Sequence, residues 1–279
     1  MSGILKFFSL TYAATWICWA ASLAMSHRAP ALAVLAGGLF LLGTFAPALV
    51  ALALTERAEG HAATRALLGR VFHWQVGARW YLFAAGYIVT IKLAVALVIR
   101  LATGAWPRFG QQPWYLLAVA TLFSTVVQEG EEIGWRGYAL PRLSERFGLA
   151  PASIILGILW ASWHLPLFFV PESDLSGQSF PLYLLQVTAL SIAMAWLYWR
   201  TGGSLLLVML LHAAINNTKD IVPSASPGAT NSFTLSASLV AWLTVALLWI
   251  MAAYFLARMS TARLDKQAVP FAHCKIKMK

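Results

Sequence analysis

Three carboxylates lie within four positions of a chain that has only 10 acidic residues in 279. They are Glu129, Glu131 and Glu132, in the segment VVQEGEEIGWRGYALPR. On a helix, Glu132 and Arg136 are spaced i and i+4 with the acid first, which favours an ion pair. Glu131 points about 100° away from Glu132 and has no local cationic partner, so its carboxylate is a candidate general base. The alternative is that a helix simply emerges at the membrane interface with solvated acids.

Two later segments also carry polar side chains in apolar surroundings. WASWH ends at His164 and has Trp160 one turn earlier, on the same helix face. HAAIN places His212 and Asn216 at i and i+4, where both can donate hydrogen bonds. A packing histidine and interhelical hydrogen bonds are the structural alternatives. Because polar groups inside a bilayer commonly mark function, pairing or a water-filled cavity, we expect these side chains to converge in a bundle core.

The elements that position these residues are predicted to be membrane helices. The chain is 60% hydrophobic and 11% charged, whereas soluble domains have about 25% charged residues. The net charge of +10 comes from residues scattered between apolar segments, so it predicts contacts with membrane lipids and no nucleic-acid partner. The two cysteines, Cys18 and Cys274, exclude a disulfide scaffold.

Eight apolar segments predict an all-α, polytopic membrane helix bundle, because a crossing needs about 20 mainly apolar residues. The segments are 4–25, 31–55, 79–100, 113–129, 151–170, 181–200, 203–219 and 236–258, of which 113–129 and 203–219 are the shortest or least clean. We divide the single membrane domain into N-terminal helices, a catalytic part, and a last helix with a basic tail. These parts cover 1–111, 112–219 and 220–279.

The basic residues predict the orientation of the bundle. Of the 20 Lys and Arg residues, fifteen fall in segments that eight crossings place inside and four fall in outside loops. This positive-inside bias predicts cytoplasmic termini, and we expect a bacterial inner-membrane protein. The remaining cation, Lys92, lies within the third span and is expected to snorkel to an interface.

A separate amphipathic helix is predicted between the second and third spans. Segment 57–79 is polar and basic, with Leu67, Leu68, Val71 and Phe72 at helical spacing. This pattern indicates a helix on the cytoplasmic membrane surface. The two histidines of the segment, His61 and His73, are expected to be solvated.

The order of three motifs resembles the type II CAAX prenyl protease family. The motifs are E-E-x-x-x-R from Glu131, aromatic-x-x-x-H from Trp160, and H-x-x-x-N from His212. This family is also called CPBP, for CAAX proteases and bacteriocin-processing enzymes, and its members are intramembrane glutamate proteases. The resemblance covers residues 112–219, and the segments 43–54 and 77–84 are similar to the family's upstream helices.

The resemblance implies a catalytic role for four residues of this chain. Glu131 would be the general base and His164 its partner, together activating a water molecule that attacks a peptide carbonyl. His212 and Asn216 would stabilise the oxyanion as hydrogen-bond donors. The implied activity is an intramembrane endopeptidase that cuts a peptide bond near the cytoplasmic side of the membrane.

Supporting roles and the substrate class also follow from the resemblance. Glu132 and Arg136 would hold the geometry of the site or contact the substrate. Trp160 stands where many members have Phe, which keeps an aromatic side chain but could reshape the pocket. The implied substrate is a membrane-associated peptide or protein, with or without a lipid modification.

Two other interpretations remain open at this point. A zinc metalloprotease could use Glu131, His164 and His212 as ligands. We expect no metal and no other cofactor, because the sequence has no H-E-x-x-H motif and Asn216 suits an oxyanion donor better than a zinc ligand. A non-enzymatic immunity factor, scaffold or transporter is the second alternative, although the sequence shows no internal repeat of the kind common in transporters.

Overall fold

The structure, a computed structural model, describes residues 2–26, 32–170, 173–224 and 231–262. All regular elements within these residues are helical. The α-helices are α1 (Ser2–Ser26), α2 (Ala33–Glu59), α3 (His61–Gly69), α4 (Ala78–Thr103), α5 (Trp114–Val127), α6 (Glu129–Glu132), α7 (Leu140–Phe147), α8 (Leu149–Trp163), α9 (Phe180–Arg200), α10 (Leu205–Thr218) and α11 (Leu239–Met259). A π-helix (Ile133–Ala139) joins α6 to α7, and a 3₁₀ turn (Leu165–Phe169) follows α8.

The eight predicted apolar segments are all helices in the structure. In the described part of the chain, six are long and apolar enough to cross a membrane: α1, α2, α4, α8 with its 3₁₀ turn, α9 and α11. The other two, α5 and α10, are apolar helices of 14 residues. The protein is therefore an all-α, polytopic membrane helix bundle, as predicted.

The first two helices form an antiparallel pair held by side-chain hydrogen bonds to backbone carbonyls. Thr15 donates to the Gly43 carbonyl at 2.8 Å, and Ser22 donates to the Ala36 carbonyl at 2.7 Å. A donor later in α1 bonds to a carbonyl earlier in α2, which is the register of an antiparallel pair. Small polar residues of this kind connect membrane helices because lipid offers the donors no other partner.

The close packing of α8 against α9 depends on a glycine. A Cβ at Gly157 would lie 2.7 Å from the Cα of Thr188 and 2.9 Å from the Cβ of Ser191. The Ser191 hydroxyl also donates to the Ser153 carbonyl at 3.0 Å. Because α9 is the most buried of the long spans, this contact fixes α8, which carries Trp160, against the centre of the bundle.

Replacing Gly157 by Ala is expected to destabilise the protein, although Ala favours helices more than Gly does. The new methyl group would meet backbone atoms of α9, and overpacking of this kind costs about 1–3 kcal/mol. Thermal unfolding in detergent measures the effect. Gly86→Ala is the matched control, since a Cβ there meets nothing within 4 Å. Equal melting temperatures for the two variants would contradict the prediction.

The amphipathic helix predicted for 57–79 is shorter than expected. Helix α2 continues to Glu59, Gly60 breaks it with φ +82°, and α3 covers only His61–Gly69 before a 3₁₀ turn (Arg70–Phe72). The predicted apolar face is also divided. Leu67 and Val71 are buried in the protein core, whereas Phe72 is 76% exposed and Leu68 is also exposed.

The two histidines of this segment differ in their surroundings. The His61 side chain is exposed, as predicted. His73 is half-buried, so the expectation that it is solvated was wrong. Its carbonyl accepts a hydrogen bond from Ser204 at 2.6 Å, which draws the residue onto the start of α10. Burial lowers the pKa of His73, and the positive charge of Arg70 lowers it further.

Lys92 does not snorkel to an interface. Its side chain is 2% exposed, and its Nζ donates to the Val222 carbonyl at 3.4 Å, just beyond α10. The prediction failed because sequence periodicity does not show which face of α4 is covered, and α4 packs against α10. The orientation of the bundle stays a prediction, and most of the basic tail lies outside the described residues.

Candidate active site

The glutamate pair lies where an α-helix changes into a π-helix. Glu131 and Glu132 end α6, and Arg136 is in the π-helix, every residue of which is buried. A Cβ at Gly134 would lie 2.6 Å from the Pro47 carbonyl carbon, so the π-helix packs directly on the backbone of α2. Insertions that convert α-helix to π-helix occur frequently at functional sites.

Glu132 accepts hydrogen bonds from two basic side chains. Arg136 Nη1 donates to both carboxylate oxygens, at 2.8 Å and 3.0 Å. His212 Nδ1 lies 2.8 Å from Oε1 of the same carboxylate. Glu132 and Arg136 are fully buried, and His212 is almost so. The predicted ion pair is confirmed, whereas the link from Glu132 to His212 was not predicted.

Glu131 has a different set of partners from its neighbour. Trp160 Nε1 donates to Glu131 Oε2 at 2.8 Å, and the residue is 7% exposed. Within the described part of the chain, Glu131 forms no ion pair, and its Oε1 has no hydrogen-bond donor. One carboxylate oxygen is therefore fixed by an indole N–H, while the other is free to accept a proton.

Trp160 contacts Arg136 and both imidazole rings in addition to Glu131. The Arg136 guanidinium lies 4.1 Å from the centre of its ring, a cation–π arrangement. The His212 and His164 rings approach Trp160 edge to face, at centroid distances of 5.1 Å and 5.9 Å. A phenylalanine could make the ring contacts but has no N–H for Glu131, so the aromatic identity at this position affects the carboxylate directly.

His164 is positioned where α8 gives way to a 3₁₀ turn containing Pro166. Its Nδ1 lies 2.9 Å from the Trp160 carbonyl, which can only accept, so Nδ1 carries a proton. His212 Nδ1 likewise donates, to the ion-paired Glu132 carboxylate. Both imidazoles therefore keep Nε2 for other partners.

The end of α8 is also held by α1, which the sequence did not indicate. Tyr12 donates from its hydroxyl to the Leu159 carbonyl, and Trp16 Nε1 donates to the Trp163 carbonyl at 2.9 Å. The Trp163 carbonyl lies at the end of the helix, where carbonyls lack intrahelical partners. A Tyr and a Trp one turn apart in an apolar span are a signal for such bonds, because both need a partner when buried. Their targets could not be read from the sequence.

The four predicted catalytic residues line one cavity of about 1250 Å³. Glu131, His164, His212 and Asn216 all border it, although they come from three separate segments of the chain. The Asn216 side chain forms no hydrogen bond with the described residues. Glu132 and Arg136 lie behind the cavity and are fully buried. The expected convergence of these side chains is thus seen in the structure.

Asn217 also borders the cavity but differs from the four predicted residues in its hydrogen bonds. Asn217 is the next residue after Asn216, but its amide donates to Ser124 Oγ at 2.7 Å and to the Ala213 carbonyl at 2.8 Å. Its amide is therefore engaged in holding α10 against α5. The Glu129 side chain, the third carboxylate of the cluster, lies outside the described part of the structure.

The possible zinc ligands of the site are engaged in other contacts. Among the described residues, no group of three or more His, Cys, Asp or Glu side chains is placed to hold a metal ion. Each member of the candidate zinc set also has one ligand atom engaged. Glu131 Oε2 accepts from Trp160, and both histidines use Nδ1.

Comparisons with known proteins agree on one family. The sequence model of Rce1-like type II CAAX prenyl endopeptidases matches residues 110–218. The chain is also 33% identical over 114 residues to CAAX prenyl protease 2 of Methanococcus maripaludis. That alignment covers 39% of this chain and 40% of the relative, so the matched stretch spans about two fifths of each protein. The segment that carries the candidate site is therefore similar to the Rce1-like type II CAAX prenyl endopeptidases.

Proposed function

We propose that this protein is an intramembrane endopeptidase that hydrolyses a peptide bond with a glutamate-activated water molecule. The observation that carries the proposal is the convergence of Glu131, His164, His212 and Asn216 on one cavity. The cavity is bordered by a carboxylate oxygen that can act as a base, by two imidazole rings and by an amide that forms no other hydrogen bond with the described residues. The match of residues 110–218 to a family model of endopeptidases supports the same activity.

The proposed substrate is a membrane-associated peptide that carries a lipid-modified cysteine near its C-terminus. The relative's name refers to a CAAX sequence and to prenylation, and a prenylated CAAX cysteine is followed by three residues. The lining of the cavity includes Trp19, Phe40 and Leu167, which suit an apolar chain. We propose a bacterial inner membrane with both termini on its cytoplasmic side, because the predicted inside segments hold most of the Lys and Arg residues.

The proposed reaction begins with Glu131 as general base. Its Oε1 takes a proton from a water molecule, and the resulting hydroxide forms a bond to the peptide carbonyl carbon. His164 Nε2 orients the same water. When the tetrahedral intermediate collapses, the C–N bond breaks and the proton passes from Glu131 to the leaving amine, which restores the carboxylate.

His212 and Asn216 are proposed to stabilise the negative charge that develops on the carbonyl oxygen. Asn216 donates from its amide. His212 donates from Nε2 in its imidazolium form, in which both ring nitrogens are donors. Its Nδ1 lies 2.8 Å from the Glu132 carboxylate, which fixes the orientation of the ring. Donors fixed in advance around a developing oxyanion provide much of the rate enhancement in acyl transfer.

A direct assay tests the proposed function. The purified protein is incubated in detergent with a peptide that ends in S-farnesyl-cysteine and three further residues, and the released tripeptide is identified by mass spectrometry. Release that depends on the protein supports the proposal. The same assay with Glu131→Gln separates an enzyme from a scaffold, since a scaffold releases no tripeptide in either form.

Asn216→Ala is expected to lower turnover by about 10²–10³-fold, because loss of one oxyanion donor has effects of this size. Its effect on melting temperature should be small, since the amide forms no hydrogen bond with the described residues. Asn217→Ala is the matched control one position along the chain. That variant should lose stability through its two hydrogen bonds and keep most of its turnover per folded molecule. The reverse pattern would contradict the assignment of Asn216.

Chelation is expected to leave cleavage unchanged. The proposed reaction uses only side chains, and each candidate zinc ligand has one ligand atom already engaged. Activity is measured after prolonged treatment with a strong zinc chelator, and the protein is checked for zinc by elemental analysis. Activity that disappears on chelation and returns with added zinc would establish the metalloprotease alternative.

A further inference from the structure

A buried lysine borders the same cavity and has no role in the proposed reaction. Lys92 is 2% exposed and lines the cavity together with Glu131, His212 and Asn216. Lysine is among the side chains least often buried without a partner. An ammonium group in the middle of a membrane bundle therefore calls for an explanation.

The interactions of Lys92 in the structure leave donor capacity unused. Its Nζ donates to the Val222 carbonyl at 3.4 Å, a long hydrogen bond. Among the described residues it forms no ion pair, although Asp220 is near enough to affect it electrostatically. Lys219, which borders the same cavity, is instead paired with Asp174 at 2.9 Å. An ammonium carries three donors, so Lys92 can accept an anionic partner.

Lys92 and the proposed oxyanion site border the same cavity. Lys92 contacts Val222, which follows Asn216 by six residues and lies just beyond the end of α10 at Thr218. One peptide in the cavity could therefore have a carbonyl held at Asn216 and a second group held at Lys92.

We propose that Lys92 binds the C-terminal carboxylate of the substrate. This inference rests on the proposed function and adds a residue that recognises the end of the substrate chain. A carboxylate at Nζ would form a charge-assisted hydrogen bond and give the buried ammonium a counter-ion. The protein would accordingly prefer peptides that end in a free carboxylate.

Binding to a variant that does not turn over provides the test. In the Glu131→Gln background, affinity is measured by fluorescence anisotropy for a labelled S-farnesyl-cysteine peptide with three further residues. Two forms of the peptide are compared, one ending in a free acid and one in an amide. We expect the dissociation constant of the peptide acid to be about tenfold lower than that of the amide, or lower still, because the acid gains one charged contact. Adding Lys92→Met should remove this difference.

Lys219→Met in the same background is the matched control, because Lys219 also lines the cavity but has Asp174 as its partner. It should preserve the preference for the acid. If Lys92 only holds the backbone at Val222, Lys92→Met lowers the melting temperature and leaves the acid-to-amide ratio unchanged, which would overturn the proposal. Equal affinity for the two peptides before Lys92 is changed, or no detectable binding of the acid, would also overturn it.

The cleavage assay keeps this inference separate from the proposed function. If the wild-type protein cuts acid and amide peptides equally well, the endopeptidase proposal stands and the role of Lys92 is wrong. If the wild-type protein cuts neither peptide, while the acid still binds more tightly through Lys92, the reaction is wrong and the carboxylate site stands.

Discussion

Glu131→Gln is expected to lower peptide cleavage by about 10²–10⁴-fold, the usual contribution of a general base. The amide oxygen of Gln can still accept the Trp160 N–H that holds Glu131 at 2.8 Å. The shape of the site is therefore kept while proton acceptance is lost. Cleavage of the farnesylated peptide and thermal unfolding in detergent, measured on the same preparation, should show a folded protein with very little activity.

Glu132→Gln is the informative comparison, because the adjacent glutamate differs in its partners. Glu132 accepts from Arg136 and from His212, and an amide would direct N–H groups at one of these donors. This variant should lose both stability and activity. A well-folded, inactive Glu132→Gln beside a Glu131→Gln that cuts at nearly the wild-type rate would mean that the two roles are reversed.

Arg136→Ala is expected to cost about 3–5 kcal/mol of stability, the penalty for leaving a buried charge without its partner. Arg136 donates twice to Glu132 and lies over the Trp160 ring, so its loss also removes support from the residue that fixes Glu131. Activity should therefore fall together with the melting temperature. Unfolding in detergent and cleavage per folded molecule separate these two effects.

Arg142→Ala is the control for this prediction. Arg142 also pairs with a glutamate, Glu59, but both side chains are partly exposed. Exposed pairs contribute about 0–1 kcal/mol, so the melting temperature should change little. If Arg142→Ala destabilises the protein as much as Arg136→Ala does, burial is not the reason that the Glu132–Arg136 pair matters.

The sequence was sufficient to predict the helices and the residues of the site. Hydrophobic length determines whether a segment can satisfy its backbone in lipid, so all eight apolar segments could be recognised from composition alone. The spacing of Glu132 and Arg136 predicted their ion pair, because i and i+4 are neighbours on an α-helix, and the pair forms although Arg136 lies in the π-helix. The motifs around Glu131, His164 and His212 identified the side chains that meet in the cavity.

The partners of those side chains were decided only by tertiary structure. The indole N–H of Trp160 reaches Glu131, and His212 reaches Glu132, because α8 and α10 pack against the segment that carries the glutamates. Contacts between segments 29 and 80 residues apart leave no periodic signal in the sequence.

Lys92 and the segment 57–79 show the same limit. Sequence pattern gives the spacing of residues along one helix, but which face is covered by protein depends on the neighbouring helices. Lys92 therefore lies against Val222 in the cavity wall instead of at an interface. Leu67 and Phe72, predicted to share one lipid-facing surface, are divided between the core and the exterior, because Gly60 ends α2 and α3 packs onto the bundle.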